Sequence, residues 1–453
     1  MIDLSVDDLR NQFSGQVIGS QDAEYDDLRT VVAGHIDHRP KVIIRVASTQ
    51  DVQKAIALAR EHKLPLAIRS GGHSPAGHGA VQDGIVLDVR GLDDLDIDPA
   101  TRTAWAGAGI TAGAYTAAAA QHGLATGFGD SGSVGVSGIT LAGGIGFLVR
   151  KHGMTIDQLL AAEIVTADGQ VLEVSEEQHP ELFWAIRGGG GNFGVITRLK
   201  FHLHEVDDVV GGMLVLPATA PTIARFIELC QTAPAELSAI VNVMSAPPMP
   251  FLPPEVHGQV IILALMTYSG PQDEGEKAIA PFREIATPLA DMLRPMKYAE
   301  MFPGGEEGYR PLAVAHNMFL NDVTEESADT ILRHLNNSDS PMRAAQLRVL
   351  GGAMAEVPAD ATAFAHRSSN IMVNIAALYQ QPHEREVRQS WVDAFAAELQ
   401  QEDSAAYVGF LGEDGTARIR HAYPDETWNR LARVKATYDP ENVFRLNQNI
   451  TSA

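Results

Sequence analysis

Glycine is concentrated in three short segments of the first half of this chain. The chain has 453 residues and 41 glycines, and dense groups of them lie at 71–72, 127–146 and 188–194. So much glycine costs too much conformational entropy for the interior of an ordinary helix or strand. We therefore expect the backbone of these segments to lie close to a bound group, and a cofactor is the simplest interpretation.

The surrounding sequence predicts alternating strands and helices. Residues 41–48 and 65–70 are apolar strand patterns, and residues 49–64 between them have the spacing of a helix. Two alternating runs flank Asp168-Gly169, which predicts a hairpin with a type I′ turn. After about residue 206 the glycine groups fade and apolar strands alternate with amphipathic helices, so we expect a second domain. Residues 405–451 return to dense motifs and include a helix that ends before Pro440.

Charge and cysteine content exclude several classes of function. Thirty-four Lys and Arg against 57 Asp and Glu give a net charge of −23, which disfavours a nucleic-acid or anionic membrane partner. Cys230 is the single cysteine, so an intramolecular disulfide and a multi-cysteine metal centre are excluded and a reducing compartment is favoured. The first ten residues, MIDLSVDDLR, are acidic where a signal peptide is basic, and no apolar stretch reaches about 18 residues. We expect a soluble, cytoplasmic protein whose oligomeric state stays open.

The first glycine motif, Arg69 to His78, follows directly after an apolar strand. A tight Gly-Gly turn at a strand end presents successive backbone N–H groups, which can bind a diphosphate without net positive charge. A sharp loop whose histidine only caps the turn is an equally good interpretation of this segment alone.

The other two motifs point away from common nucleotide folds. Gly127 to Gly146 does not match G-x-G-x-x-G between a strand and a helix, which disfavours a Rossmann site despite Gly107-Ala-Gly109. In Arg187 to Gly194, the flanking Arg and Asn favour a packed functional loop over a flexible turn. We find no P-loop, H-E-x-x-H or G-x-S-x-G motif. His202 and His204 share a strand face, and a satisfied pair is favoured over a metal site.

The three segments in this order, together with YDPENVFRLNQNI at 438–450, resemble the vanillyl-alcohol oxidase and para-cresol methylhydroxylase (PCMH) superfamily of FAD enzymes. The closer similarity is to its berberine bridge enzyme-like branch, which includes bacterial hydroxynicotine and oligosaccharide oxidases. The resemblance covers about residues 35–205 and 405–451, and extends more loosely to GGAMAEVPADATAFAHR at 351–367. It implies an α+β fold, with a two-subdomain PCMH-type FAD-binding domain and a cap whose antiparallel sheet is covered by helices. We expect the FAD-binding domain at 1–205, the substrate-binding cap at 206–404, and a C-terminal berberine bridge enzyme-like segment at 405–453 that returns to the FAD domain.

The same resemblance implies which residues bind FAD. His73 matches the family histidine that is covalently attached to the flavin ring methyl. The expected cofactor-binding residues are His73, Arg69, Ser70, Gly71, Gly72, Ser74, Gly77, His78, Gly129, Asp130, Ser133, Val134, Gly135, Ser137, Gly138, Gly143, Gly144, Gly146, Val195, Asn447 and Asn449.

Two positions depart from the family pattern. The branch often has a second flavin-linking cysteine where this chain has Ser131, so we expect a single covalent bond, through His73. The Asn of the family's Tyr-x-Asn motif is replaced by Gly409, which places any role of that side chain in doubt.

The resemblance implies an FAD-dependent oxidase that takes a hydride from a small-molecule substrate to flavin N5 and passes the electrons to molecular oxygen. Val134 lies where the family leaves space for oxygen. Tyr407 is the first candidate for moving the substrate proton, with a substrate-orienting role as the competitor. Two pairs of residues are spaced two apart on their strands, so each pair shares one strand face and could reach the substrate: Gln346 with Arg348, and Asn374 with Ala376. Tyr379, on the same strand as Asn374, is either a catalytic residue or an ordinary core residue. A flavin dehydrogenase with another acceptor and a non-catalytic flavin-binding protein are the alternatives, and no metal is expected.

Overall fold

The computed structural model describes residues 5–206, 208–302, 308–401, 404–413 and 415–451. Helices and strands are mixed along the chain in an α+β arrangement, as the sequence predicts. Within these ranges no helix has the length and apolar composition needed to cross a membrane. The same ranges contain no group of three or more His, Cys, Asp or Glu side chains that could hold a metal ion.

A four-stranded sheet begins the fold, in the order β1-β2-β4-β3. The predicted strand, helix and strand at 41–70 form β2, α3 and β3, and β4 pairs in parallel with both strands. Ser48 caps α3 by accepting a hydrogen bond from the Asp51 N–H, and Val52 and Ile56 face the core. The elements are α1 (Val6–Arg10), β1 (Gln16–Gly19), α2 (Tyr25–Arg29), β2 (Val42–Arg45), α3 (Thr49–Glu61), β3 (Leu66–Arg69) and β4 (Ile85–Asp88).

A five-stranded antiparallel sheet follows, in the order β5-β6-β10-β8-β9, with a separate two-stranded pair of β7 and β11. Its strands are β5 (Leu95–Asp98), β6 (Thr103–Gly107), β8 (Leu159–Val165), β9 (Val171–Ser175) and β10 (Val195–His202), and the pair is β7 (Leu124–Ala125) and β11 (His204–Glu205). The helices between them are α4 (Ala112–Ala120), α5 (Val136–Ala142), α6 (Val149–His152) and α7 (Pro180–Ile186).

The turn between β8 and β9 differs from the sequence prediction. The hairpin is present, but the type I′ assignment is wrong, since that turn needs positive φ at both central residues and only Gly169 has it, at +85°. The Gly169 N–H donates to Thr166 O (2.9 Å) and the Thr166 N–H donates to Gln170 O (3.0 Å). The Asp168 carboxylate accepts from the Thr166 hydroxyl (2.5 Å) and so stabilises the longer loop.

Residues 208–379 contain an eight-stranded antiparallel sheet, in the order β15-β12-β14-β13-β18-β19-β17, with β16 also paired to β12. Its strands are β12 (Asp208–Pro217), β13 (Leu237–Ser245), β14 (Val260–Tyr268), β15 (Ala290–Asp291), β16 (Arg294–Lys297), β17 (Leu312–Leu320), β18 (Arg343–Val349) and β19 (Ile371–Tyr379). The helices of this region are α8 (Ala220–Thr232), α9 (Gln272–Arg283), α10 (Glu325–Asn337), α11 (Ala353–Glu356) and α12 (Arg385–Leu399), and the C-terminal helices are α13 (Gly415–Ala422) and α14 (Asp425–Tyr438).

The two faces of this large sheet have different partners. One face packs on helices and forms an apolar core with members such as Phe226 of α8 and Phe395 of α12. The opposite face turns to the first half of the chain, where Phe319 and Met372 pack with Ile145. The domain boundaries at 205 and 405 stay a prediction.

Buried arginines join the sheet region to the first half of the chain. Arg150, 5% exposed, donates to the carbonyls of Cys230 (2.7 Å) and Leu237 (2.9 Å). Arg367 forms a bidentate ion pair with Asp157, with both N–O distances at 2.8 Å. Such charge-assisted contacts fix the position of the sheet over the glycine loops.

Candidate active site

The three glycine segments converge on one cavity of about 380 Å³. The loops at 69–74 and 131–138 meet backbone to backbone, since a Cβ on Gly71 would lie 2.3 Å from the Gly135 nitrogen. Only glycine permits this approach. The predicted residues that line the cavity are Arg69, Ser70, Gly71, Gly72, His73, Ser74, His78, Gly129, Asp130, Val134, Gly135, Ser137, Gly138, Asn447, Arg348 and Tyr407.

Other predicted cofactor residues lie behind this wall. A Cβ on Gly146 would lie 1.4 Å from the Phe128 carbonyl oxygen, and one on Gly77 would lie 2.5 Å from Ile36, so these glycines serve chain packing. Val195 is a buried core residue of β10. The structure gives these three residues a packing role, and their contact with the cofactor stays a prediction. The remaining members that do not line the cavity are Ser133, Gly143, Gly144 and Asn449.

Arg69 is a buried cation without a carboxylate partner. It is 6% exposed, and its one recorded hydrogen bond to the described chain is to the Leu28 carbonyl, while its Nε has no partner there. The nearby Asp88 is already paired with Arg90 (2.6 Å) and Arg45 (3.1 Å). Burial lowers the pKa of Arg69 to about 10, so it stays charged at neutral pH. A buried charge of this kind requires an anion, and the cavity wall is where one can bind.

The C-terminal segment at 438–450 supplies polar groups to the other wall of the cavity. Asn447 donates to the carbonyls of Gly191 and Phe444, both at 3.0 Å, which leaves its buried Oδ1 without a partner in the described chain. The buried Oδ1 of Asn449 also has none. Buried acceptors of this kind are normally satisfied, so they indicate a ligand with hydrogen-bond donors.

The environment of His73 favours a neutral imidazole. Its Nε2 lies 3.0 Å from the Ser133 hydroxyl, which lies 3.1 Å from the hydroxyl of Ser131. Burial lowers the pKa of His73, an effect larger than the opposing ones of Ser133 and of the Asp130 charge. An unprotonated ring nitrogen can act as a nucleophile.

Tyr407 is enclosed by glycine. Its hydroxyl accepts a hydrogen bond from the Gly144 N–H (2.9 Å), and its own N–H donates to Asn317 Oδ1 (2.7 Å). A Cβ on Gly409 would lie 2.8 Å from the Tyr407 ring. The ring therefore fills the space next to the position where the family has asparagine. Burial raises the pKa of Tyr407 to about 12.

Arg348 joins the large sheet to the cofactor cavity. It donates to Asp130 Oδ2 (2.7 Å), to the Ile145 carbonyl (2.9 Å) and to Gln346 Oε1 (2.8 Å). Gln346 in turn donates to Asn242 Oδ1 (3.0 Å). Gln346 and Asn374 are paired across β18 and β19 on the same face, although neither lines the cavity itself.

Tyr379 is not brought to the site. On β19, Asn374 and Tyr379 are five residues apart, so their side chains point to opposite faces of the sheet. Tyr379, 4% exposed, belongs to the core on the helix-covered face. This position favours the core alternative for Tyr379, and a catalytic role stays untested.

The sequence analysis missed several residues whose side chains hold other parts of the site in place. Lys435 and Asp439 form a fully buried ion pair (2.7 Å), and Lys435 also donates to the carbonyls of Asn192 and Phe444. This pair holds the glycine loop at 188–194 against the C-terminal segment at 438–450. Its only signal in the sequence is the i,i+4 spacing of opposite charges. Asn242 and Asn317 were also missed, because a single amide in an apolar strand carries no distinctive pattern.

Comparisons with known proteins agree with this geometry. A family model described as an FAD binding domain matches residues 40–175, and one described as berberine and berberine like matches residues 406–451. The (R)-6-hydroxynicotine oxidase of Paenarthrobacter nicotinovorans is 30% identical over 451 residues, which cover 96% of each chain. The chain belongs to the berberine bridge enzyme-like family of FAD-linked oxidoreductases.

Solved structures give the same result for the fold of this FAD-dependent oxidoreductase. The crystal structure of 6-hydroxy-D-nicotine oxidase from Arthrobacter nicotinovorans superposes with a TM-score of 0.86 at 26% identity, covering 97% of this chain and 98% of that one. The xylooligosaccharide oxidase from Myceliophthora thermophila C1 has a TM-score of 0.85 at 21% identity, covering 99% and 100%. At that lower identity the similarity concerns the fold alone.

Proposed function

We propose that this flavoenzyme is an oxidase that takes a hydride from a small organic substrate and passes the two electrons to molecular oxygen. The substrate is an alcohol, sugar, amine or secondary metabolite, and oxygen with two protons becomes hydrogen peroxide. The family relationship to the hydroxynicotine oxidase supports an oxidase. The observation that carries the proposal is one cavity whose wall contains the unpaired cation of Arg69, the neutral imidazole of His73 and the buried phenol of Tyr407.

The residues present fit FAD. Arg69 and the N–H groups of the loop at 69–74 would bind the diphosphate, and the partnerless carbonyl oxygens of Asn447 and Asn449 would accept hydrogen bonds from the flavin side. Apolar side chains such as Ile139, Ile145 and Leu446 line the same cavity and would contact a flat ring. When bound, FAD supplies the hydride acceptor of the reaction.

We further propose a single covalent bond between a ring nitrogen of His73 and the flavin ring methyl. The C–N bond would replace one methyl C–H bond and the imidazole N–H bond, and molecular oxygen would accept the two electrons and two protons released, as hydrogen peroxide. Ser133 orients the imidazole, and the lowered pKa of His73 leaves its nitrogen unprotonated at neutral pH. Ser131 occupies the position of the family's second link and cannot form a thioether.

Tyr407 is proposed to orient the substrate as a hydrogen-bond donor. With its pKa raised to about 12 by burial, the phenol stays protonated, which makes it a poor base at neutral pH. Its oxygen accepts from Gly144, so its hydrogen is available to a group in the cavity. In this proposal residues 1–205 and 405–453 hold FAD and residues 206–404 form the cap over the substrate.

Purified protein tests this proposal directly. We expect yellow protein whose flavin absorbance is bleached anaerobically by some member of a panel of alcohols, amines and sugars. Readmitted air should restore the colour and form peroxide in equal amount to the substrate consumed. Folded protein that stays colourless with added FAD would exclude a flavoenzyme, and bleached protein that air does not reoxidise would exclude an oxidase.

Intact-mass analysis of the denatured protein tests the covalent bond. The wild type should carry the mass of one FAD, and His73→Ala should carry none while it still binds FAD before denaturation. His78→Ala, in the same loop and half-buried like His73, is the matched control and should keep the adduct. An adduct that survives in His73→Ala would show that another residue forms the bond.

A further inference from the structure

Four amide side chains form a row across four neighbouring strands of the large sheet. Asn242 pairs with Gln346, Gln346 with Asn374, and Asn374 with Asn317. Directly paired positions in an antiparallel sheet point to the same face. Alternate positions on these strands belong to the helix-covered core, so the amides face the first half of the chain. We call these four residues the amide row.

Hydrogen bonds fix the orientation of three members of the amide row. Asn242 Nδ2 donates to the Leu263 carbonyl (3.2 Å), and Gln346 Nε2 donates to Asn242 Oδ1 (3.0 Å). Asn317 Oδ1 accepts from the N–H of Tyr407 (2.7 Å). An N–H donor can be matched only by the oxygen of an amide, so Asn317 presents its Nδ2 away from Tyr407.

Asn374 is the exception in the amide row. Its carboxamide makes no hydrogen bond with the part of the chain that the structure describes, and its Oδ1 is buried. The Nδ2 of Asn317, on the strand directly opposite, is also buried without a partner in the described ranges. One acceptor and one donor are thus left unmatched at adjacent positions, which is rare in a protein interior unless a ligand satisfies them.

The side chains next to Asn374 on this face are small. The next paired row on the same face consists of Ala344, Ala376 and Ala315, all half-buried. Ala315 also lines a second cavity, of about 920 Å³, whose wall includes His73. We call the surface formed by the amide row and this alanine row the groove. His73 lines the cofactor cavity as well, so a molecule that extends from the groove through the second cavity can approach the cofactor.

The positions paired with Asn374 and Ala376 on this face are uncharged, and the charged residues on the wall of the second cavity, among them the exposed Glu386, lie outside these two rows. Arg348, two residues beyond Gln346, is already paired with Asp130 (2.7 Å). In the second cavity Arg385 is paired with Glu413 (2.6 Å) and His316 with Asp393 (3.3 Å). A charged group placed over Asn374 would therefore lose its water without gaining a counter-charge.

We propose that Asn374, beside Ala376 and opposite Asn317, binds a neutral substrate group that both donates and accepts hydrogen bonds, such as an amide, lactam or hydroxyl. This makes Asn374 a specificity-determining residue that selects against ammonium and carboxylate groups. The inference rests on the proposed function, since it concerns the substrate of that site.

Three probes of similar size test this inference on the holoenzyme: benzamide, benzylammonium and benzoate. Binding is measured by isothermal calorimetry and by perturbation of the flavin spectrum, so no turnover is needed. We expect benzamide to bind at least about tenfold more tightly than either ion, because only the ions lose hydration without compensation. Equal binding of all three, tighter binding of an ion, or no binding of benzamide would overturn the inference.

Substitutions identify the residue. Asn374→Asp should raise the affinity for benzylammonium at least about tenfold and lower that for benzamide, because it places a carboxylate in the groove. Asn374→Ala should weaken benzamide without any gain for benzylammonium. Asn370→Asp adds the same charge at an exposed position just before β19 and should change neither affinity. An unchanged preference in Asn374→Asp that retains its flavin would contradict the role of Asn374.

Flavin content and anaerobic bleaching, measured on the same preparations, separate the two proposals. Wild-type protein that holds flavin and is bleached by a substrate, yet shows no preference among the probes, would overturn the substrate class alone. Wild-type protein without flavin would overturn the proposed function itself.

Discussion

The phenol oxygen of Tyr407 accepts a hydrogen bond of 2.9 Å from the backbone N–H of Gly144. Gly144 has φ of +80°, a conformation that glycine adopts without strain. Gly143 also contacts the ring, since a Cβ there would lie 3.3 Å from a ring carbon. Two glycines that the sequence assigned to the cofactor therefore position a tyrosine, and the tyrosine in turn lines the cofactor cavity.

Tyr407→Phe should retain FAD and slow anaerobic flavin reduction by roughly tenfold or more, as expected for loss of an orienting hydrogen bond. Stopped-flow absorbance gives the rate. Because burial raises the pKa of Tyr407 to about 12, the wild-type reduction rate should show no step from this phenol between pH 6 and 9. A step in that range that disappears in Tyr407→Phe would instead identify the tyrosine as a base.

Tyr379→Phe is the matched control for this substitution. The same hydroxyl is removed, but from the helix-covered core of the large sheet. Its reduction rate should equal that of the wild type. A loss as large as that of Tyr407→Phe would place Tyr379 in the reaction after all.

The sequence predicted the cofactor half of the site well because glycine leaves a strong local signal. Gly71 and Gly135 are required where two loops meet backbone to backbone, and no other residue fits. The density of glycine predicted a bound cofactor, whereas His73 and the other individual cofactor residues came from the family resemblance.

The substrate half could not be predicted to the same depth. The amide row arises from the register of four strands that lie between residues 237 and 379, and single-strand patterns contain no information on register. Tyr379 is a different case, since its five-residue spacing from Asn374 on one strand already predicts opposite faces. Gly146 shows another, because a glycine needed near the Phe128 carbonyl has the same sequence signature as one needed near a ligand.

Val134→Leu should slow flavin reoxidation by air while anaerobic reduction by substrate stays nearly unchanged. Val134 is half-buried and lines the cofactor cavity, so a longer side chain would narrow the space that oxygen needs. Rapid mixing of reduced enzyme with oxygenated buffer measures the effect. Val134→Ala is the control and should reoxidise at least as fast as the wild type. Equal loss in both half-reactions of Val134→Leu would point to disturbed packing.

Arg69→Met should weaken FAD binding when the covalent bond is absent. In a His73→Ala background we expect the Kd for FAD to rise about tenfold to a hundredfold, the effect of losing charge-assisted hydrogen bonds to the diphosphate. Fluorescence titration with free FAD measures it. Arg45→Met in the same background removes a cation that is paired with Asp88 and does not line the cavity, so its Kd should stay near that of His73→Ala. An unchanged Kd in Arg69→Met would show that the guanidinium does not contact the cofactor.

A histidine cluster outside the active site predicts how stability depends on pH. The rings of His152 and His204 are stacked with centroids 3.8 Å apart, and His202 lies 4.7 Å from His204. Burial lowers the pKa of His204 to about 3 and that of His152 to about 4, with the charges of Lys151 and Arg102 acting in the same direction. Burial also lowers the pKa of His202. All three rings are therefore neutral in the folded protein at neutral pH.

In the unfolded chain these histidines titrate near their ordinary value of 6.5, so below that pH the unfolded state binds more protons. The contribution of this cluster to the free energy of unfolding should therefore be constant above about pH 7. It should decrease as the pH falls from about 6.5 towards 4. The free energy of unfolding should decrease between pH 7.5 and pH 5, and His204→Gln should make this decrease smaller by roughly 1 to 2 kcal/mol. This figure includes a discount for the partial exposure of the ring. Urea unfolding at the two pH values measures it. His122→Gln, which removes an exposed histidine, is the control and should show the same decrease in the free energy of unfolding as the wild type. An equal decrease in His204→Gln and the wild type would show that protonation of the stacked cluster does not destabilise the fold.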